Sequence, residues 1–126
     1  MHPIEKVIEA CDRAIVAEDF DTLMENYTEN AILVVQPGTN ATGKEEIRQA
    51  FERIAVYFKH GLSVEQAGME VLESADTALV LAKTIVSAPN QPKEERKATY
   101  VFSEIGGRWL CSIDNSYGHQ ILEKNA

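Results

Sequence analysis

The chain changes its dominant hydrophobic period near Gly61. Up to Gly61 most apolar residues recur at helical spacing, and beyond it they alternate as in strands. Helices gathered at one end and hairpin strands at the other define an α+β domain. Ile4, Val7, Ile8, Cys11, Ala14 and Ile15 make one helical stripe, and Pro3 suits the first turn. Asp19 is placed to cap a short second helix carrying Phe20, Leu23, Met24 and Tyr27 on one face. Residues 31–35 are an apolar, β-branched strand that stops at Pro37-Gly38, and 37–41 read as a loop. Thr42 and Glu45 have the spacing of a capping box. Behind them Ile47, Ala50, Phe51, Ile54, Ala55 and Phe58 predict a third, amphipathic helix that ends near Gly61.

Four strands follow, at 62–74, 76–88, 96–105 and 109–117. Gly106-Gly107 is a tight-turn pair, 89–95 a longer polar loop, and the residues after Gly118 a loosely held tail. With no linker or repeat, 126 residues predict a single domain over 1–126. In the strand 76–88, Leu79, Leu81 and Ile85 oppose Ala78, Val80, Ala82 and Val86, so both faces are apolar. One face meets the helices. The other has no helix left to cover it, which predicts a homodimer packed through the outer sheet face.

Charge narrows the function. Twelve basic residues stand against 20 acidic ones, a net charge of −8. A nucleic-acid binder needs the opposite balance, as does a binder of anionic membranes. The apolar run 31–35 is far shorter than the roughly 20 residues of a membrane helix. No basic segment followed by an apolar run opens the chain, so a cytoplasmic protein is expected. Cys11 and Cys111 then read as free thiols. His2, His60 and His119 have no metal-ligand spacing, and no nucleotide loop or nucleophile elbow is present. Neither a metal nor a cofactor is expected.

Three segments carry a resemblance: Tyr27-Thr28-Glu29-Asn30-Ala31 before the first strand, Gly43-Lys44-Glu45-Glu46-Ile47 at the third helix, and Gly107-Arg108-Trp109-Leu110-Cys111 at the last strand. With the element order, they resemble the nuclear transport factor 2-like superfamily, and within it the SnoaL-like group. The stretch from Trp109 to Gly118 is similar to YybH-type bacterial proteins. The resemblance implies a cone-shaped, cystatin-like fold, with three N-terminal helices packed on a strongly curved, mainly antiparallel sheet around a pocket. The superfamily includes ketosteroid isomerases, cyclases, dehydratases and proteins that only bind, so the fold leaves function open. Ketosteroid isomerases pair a general-base aspartate with a tyrosine and a protonated aspartate. Matched by landmarks, those positions fall here on Val35 or Gln36, on Cys11 and on Thr99, which argues against steroid isomerisation by that route.

Strict alternation along the last strand puts Trp109, Cys111, Ile113 and Asn115 on one face and Leu110, Ser112, Asp114 and Ser116 on the other. The resemblance turns the second set toward the pocket. A bulge would exchange the faces beyond it. Asp114 is the candidate catalytic acid–base, because SnoaL-like cyclases hold an aspartate in a comparable place. Cys11, Met24, Tyr27, Val35, Phe51, Thr99, Ser112 and Ser116 are the candidate pocket lining. Tyr27 is expected at the mouth, Tyr57 toward solvent or a partner, and Tyr100 is a further candidate phenol. Trp109 is expected on the convex face or in the dimer interface. Lys97 shares parity with Thr99, and His119 reaches Asp114 only if the tail folds back. The expected function is a pocket protein for a small apolar or aromatic ligand. The alternatives are an enzyme of the ketosteroid-isomerase or polyketide-cyclase kind that uses Asp114, and a dimeric accessory protein with an incidental cavity.

Overall fold

A computed structural model describes residues 2–123. The helix α1 (Pro3–Ala17) begins at a cap that periodicity does not reveal. His2 Nδ1 accepts from the Ile4 N–H at 3.0 Å, while Glu5 reaches back to the His2 N–H at 3.1 Å. These bonds satisfy two of the amides that any helix start leaves orphaned. Glu18 closes α1 in the left-handed conformation. Asp19 then caps α2 (Phe20–Met24), accepting from the Thr22 N–H at 3.3 Å.

The helix α2 stops one turn earlier than its apolar pattern predicts. Tyr27 is therefore the first residue of a ten-residue strand, β1 (Tyr27–Gln36). The expected loop after it is largely a second strand, β2 (Thr39–Thr42), which folds back on β1. The expected capping box does not form at α3 (Lys44–Tyr57). Gly43 is the N-cap without a side-chain bond, and Glu46 rather than Glu45 accepts from the Thr42 N–H, at 2.9 Å. Pairing with β1 holds Thr42 in the sheet, which takes it away from the cap. The C-cap of α3 is Phe58, three residues before Gly61.

The strands β3 (Ser63–Ser74), β4 (Thr77–Ala88), β5 (Gln91–Ile105) and β6 (Arg108–Asn115) form a meander. The polar segment 89–95 is not a long loop: β4 and β5 pair as far as Ala88 and Gln91. Gly106 and Gly107 both have positive φ, as a two-residue hairpin turn of the primed type requires. The six-stranded sheet has the order β2-β1-β6-β5-β4-β3. Only β1 and β6 run parallel, and they put Leu33 beside Asp114. A 3₁₀ helix (Gly118–Glu123) follows, where a loose tail was expected. Asn115 holds its start, accepting from the Gly118 N–H at 3.0 Å. Gly118 packs so closely that a Cβ there would meet the Lys97 carbonyl oxygen at 2.0 Å.

The helices cover the inner face of this curved sheet. Ile4, Leu23, Ile47 and Val80 are fully buried between the two layers. Among the described residues, no helix is long and apolar enough to cross a membrane.

Candidate functional site

One extra residue in β6 decides which side chains meet in the cavity. Pairing runs Phe102 to Cys111 and then Val101 to Ile113, which leaves Ser112 as an unpaired bulge. Alternation restarts beyond it. Trp109 and Cys111 thus share the inner face with Asp114, and Ile113 turns outward. Ser112 does not line the cavity: its hydroxyl donates to the Val101 carbonyl at 3.0 Å. Trp109 does not lie on the convex face. It is 8% exposed, in the core, with its ring 6.1 Å from that of His2.

The helices and the sheet leave a cavity of about 510 Å³ between them. Its wall is mostly apolar, with Ile8 and Ile15 from α1, Phe51 and Ile54 from α3, Leu33 and Val35 from β1, and Phe102 from β5. Asp114 faces this space, and the buried Tyr27 hydroxyl donates to its Oδ2 at 2.6 Å. Burial raises the Asp114 pKa, against the lowering effect of that hydrogen bond. Its neighbours follow the same logic. Burial first, and the nearby Asp114 charge second, push the Cys11 thiol to about 12 and raise Tyr27, Tyr100 and Cys111. These groups stay protonated at neutral pH, so the thiols are poor nucleophiles and the phenols are hydrogen-bond donors.

A second carboxyl was not anticipated from the sequence. Asp12 lines the cavity from α1, one position past Cys11. Burial lifts its pKa to about 6, and the Asp114 charge adds to the rise, while Gln66 opposes it by donating to Oδ2 at 2.9 Å. Thr84 in turn donates to Gln66 Oε1 at 3.4 Å, which fixes that amide from the sheet side. Asp12 lies four residues after Ile8, on the stripe that defines α1. That spacing is the available signal for it, although a stripe defined by apolar residues alone does not include a carboxyl.

The mouth is more polar. Gln36, Arg53, Tyr57, Gln91, Glu94, Arg96 and Tyr117 border it. Arg96 lies over the Tyr117 ring, 4.1 Å from its centroid, and its Nη2 donates to Glu94 Oε2 at 3.2 Å. Arg96 shares strand parity with Tyr100, so alternation could have found it. Tyr57 is 70% exposed and stands at this rim.

Of the residues expected in the lining, Cys11, Tyr27, Val35, Phe51, Ser116 and Asp114 border the cavity. Tyr27 does so from deep inside rather than from the mouth, because it leads a strand and not a helix turn. Met24 does not line it, being packed in the core below. Thr99 does not either. Its neighbours Ala98 and Tyr100 face inward, so strand alternation turns Thr99 outward beside Leu81. Lys97 shares that outward parity and is exposed. His119 is exposed in the 3₁₀ helix, and among the described residues Tyr27 is the side chain bonded to Asp114. Among the described residues no group of three His, Cys, Asp or Glu side chains could hold a metal ion.

A layer of helices over a curved six-stranded sheet, closed around an apolar hollow, is the cystatin-like fold of nuclear transport factor 2-like proteins. Residues 4–112 match the SnoaL-like domain, and the chain belongs to that family. No curated protein matches it. Solved structures do. A cystatin-like protein of unknown function from Nostoc punctiforme is 18% identical with a TM-score of 0.78, over 89% of this chain and 85% of that one. A nuclear transport factor 2-like protein of unknown function from Pseudomonas putida is also 18% identical with a TM-score of 0.78, over 88% and 80%. A candidate dehydratase of the same superfamily from Streptomyces avermitilis is 20% identical with a TM-score of 0.73, over 89% and 90%. At these identities the likeness is one of fold.

Proposed function

We propose that this protein binds a small, largely apolar or aromatic molecule in its cavity and orients it through Asp114. The carrying observation is the Asp114 carboxyl, bonded to Tyr27 at 2.6 Å and facing about 510 Å³ of mostly apolar space. A cavity of that size suits a drug-sized ligand, with few polar groups to set its orientation. Asp114 offers its Oδ1 to a polar group of the ligand, while Tyr27 engages Oδ2. The two free thiols suit a cytosolic setting. On the stretch from Trp109 to Gly118, we place the chain beside the YybH-type members of the family.

The uncharged fluorophore N-phenyl-1-naphthylamine tests this reading. The wild-type protein should bind it at one site with enhanced emission. Val35→Trp, which fills the hollow from β1, should remove the enhancement. No enhancement with the wild type, or an unchanged signal in the variant, overturns the reading.

A second reading is acid–base catalysis on a carbonyl compound, without a cofactor. It is favoured by a specific feature, two carboxyls, Asp12 from α1 and Asp114 from β6, that line one mostly apolar cavity and whose pKa values are both raised. One of them can hold a proton while the other accepts one. With any substrate so identified, Asp114→Asn should abolish turnover and leave binding nearly intact.

We also propose a second copy as the cover for the outer sheet face. Leu79, Val101 and Ile113 are cross-strand neighbours there, with Leu81 adjacent. Ile113 and Leu81 are 39% and 47% exposed. Contiguous apolar surface of this kind is characteristic of association.

A further inference from the structure

We infer that the ligand carries an anionic group, a carboxylate, held at the mouth by Arg96, with its apolar body running inward to Asp114. The inference rests on the cavity being the binding site. Arg96 lines that cavity with a side chain only 11% exposed. A guanidinium cannot lose its charge, so burying it calls for acceptors on its N–H groups. Glu94 takes Nη2 at 3.2 Å, and Tyr117 covers one face of the plane at 4.1 Å. Nε is buried and has no acceptor among the described residues. A donor in that state is under-satisfied by protein alone. A carboxylate fits it, because the guanidinium edge presents parallel N–H groups that match two oxygens.

A further feature agrees. Arg53 borders the same mouth, and among the described residues it makes no ion pair. The carboxylate at the mouth, Glu94, is half-exposed and already engaged by Arg96, while Asp12 and Asp114 line the cavity as well and oppose an anion placed beside them. The overall charge of −8 opposes the approach of an anion, but salt screens it within about 8 Å at physiological ionic strength.

The register sets the ligand's length. Tyr100 is the partner of Asp114 across β5 and β6, and Arg96 lies four residues earlier on the same face of β5. At about 3.3 Å per residue, the backbones of the two ends are roughly 13 Å apart. The side chains shorten that span to the length of two fused rings bearing a polar group at each end. The ligand class is thus an aromatic or alicyclic acid with a hydroxyl or carbonyl opposite its carboxylate.

Displacement of N-phenyl-1-naphthylamine tests the inference, with 6-hydroxy-2-naphthoate and its methyl ester as competitors. The wild-type protein should bind the acid about tenfold tighter than the ester, as expected for a charge-assisted bidentate contact. Arg96→Gln should remove the preference and bind the two with equal affinity. Equal affinities in the wild type overturn the inference without needing any variant. An acid preference that survives Arg96→Gln overturns it too, as does a fluorophore that neither competitor displaces. Failure of the wild-type protein to bind the fluorophore itself overturns the cavity reading beneath it.

Discussion

The two faces of β4 carry similar apolar character and meet opposite fates. On the inner face Ala78 and Val80 are fully buried, and Ala82 and Thr84 nearly so. On the outer face Leu81 is 47% exposed, and Leu79 and Ile85 are only partly covered. The larger side chains thus lie where no helix covers them, and the smaller ones lie under the helices. Ala98 of β5 continues the inner pattern and Val101 the outer one. Along the inner face of β4, Ala78 and Val80 join the core with the helices, while Thr84 and Val86 line the cavity. Total hydrophobicity therefore does not separate the buried face from the exposed one on this strand. Residue size and the presence of a covering layer do.

The sharpest way to break this comparison is to put the same charge on each face. Val80→Asp buries an uncompensated carboxylate and should cost about 4 kcal/mol or more, enough to abolish the folded state. Leu81→Asp, one residue away, should alter the stability of a single chain by under about 1 kcal/mol. Denaturant unfolding of the pair checks both. Similar losses would show that the outer face is as firmly packed as the inner one.

The next effect is pH-dependent and belongs to the inner face alone. The folded protein binds the Asp12 proton more tightly than the unfolded chain does. That contribution is complete below the ordinary carboxylate pKa, and it is lost as pH rises from about 4 through about 6. Gln66, Arg13, Glu9 and Asp114 surround the group, and only Gln66 and Arg13 oppose the rise. Asp12→Asn keeps an acceptor for Gln66 and should remove about 2 kcal/mol of the decline in stability across this window. Thermal unfolding at pH 4 and pH 7 measures it, and parallel curves for the two proteins would refute it. Asp114→Asn should act in the same direction, since its pKa is also raised.

The smallest effect on the fold should be the most visible in size. If the outer face joins two copies, Leu81→Asp converts a dimer to a monomer in sedimentation while its melting at high dilution barely changes. A wild-type protein that sediments as a monomer removes the need for a partner.

Local pattern carried most of the elements. The stripes of α1 and α3, the run ending at Pro37-Gly38 and the Gly106-Gly107 turn each depend on neighbours within a few residues. Where pattern failed, a distant contact had won. Pairing with β1 drew Thr42 into a strand and away from its helix cap. Cys111 donates its N–H to the Asn26 carbonyl at 2.8 Å, beside the Tyr27 that an apolar stripe had assigned to α2. Asp114 faces the cavity, although the strict alternation that turns it inward on sequence holds only up to the Ser112 bulge.

Sequence alone determined the α+β division, the acidic character and the presence of an apolar sheet with more surface than three helices can cover. Those follow from composition and period, which are properties of short windows. Tertiary structure decided that Trp109 lies inside and Ser112 outside, that Asp12 of α1 and Asp114 of β6 line one cavity, and that Arg96 borders its mouth. The strand residues depend on register, where a single bulged residue reverses every side chain beyond it, and Asp12 depends on how α1 packs over the sheet.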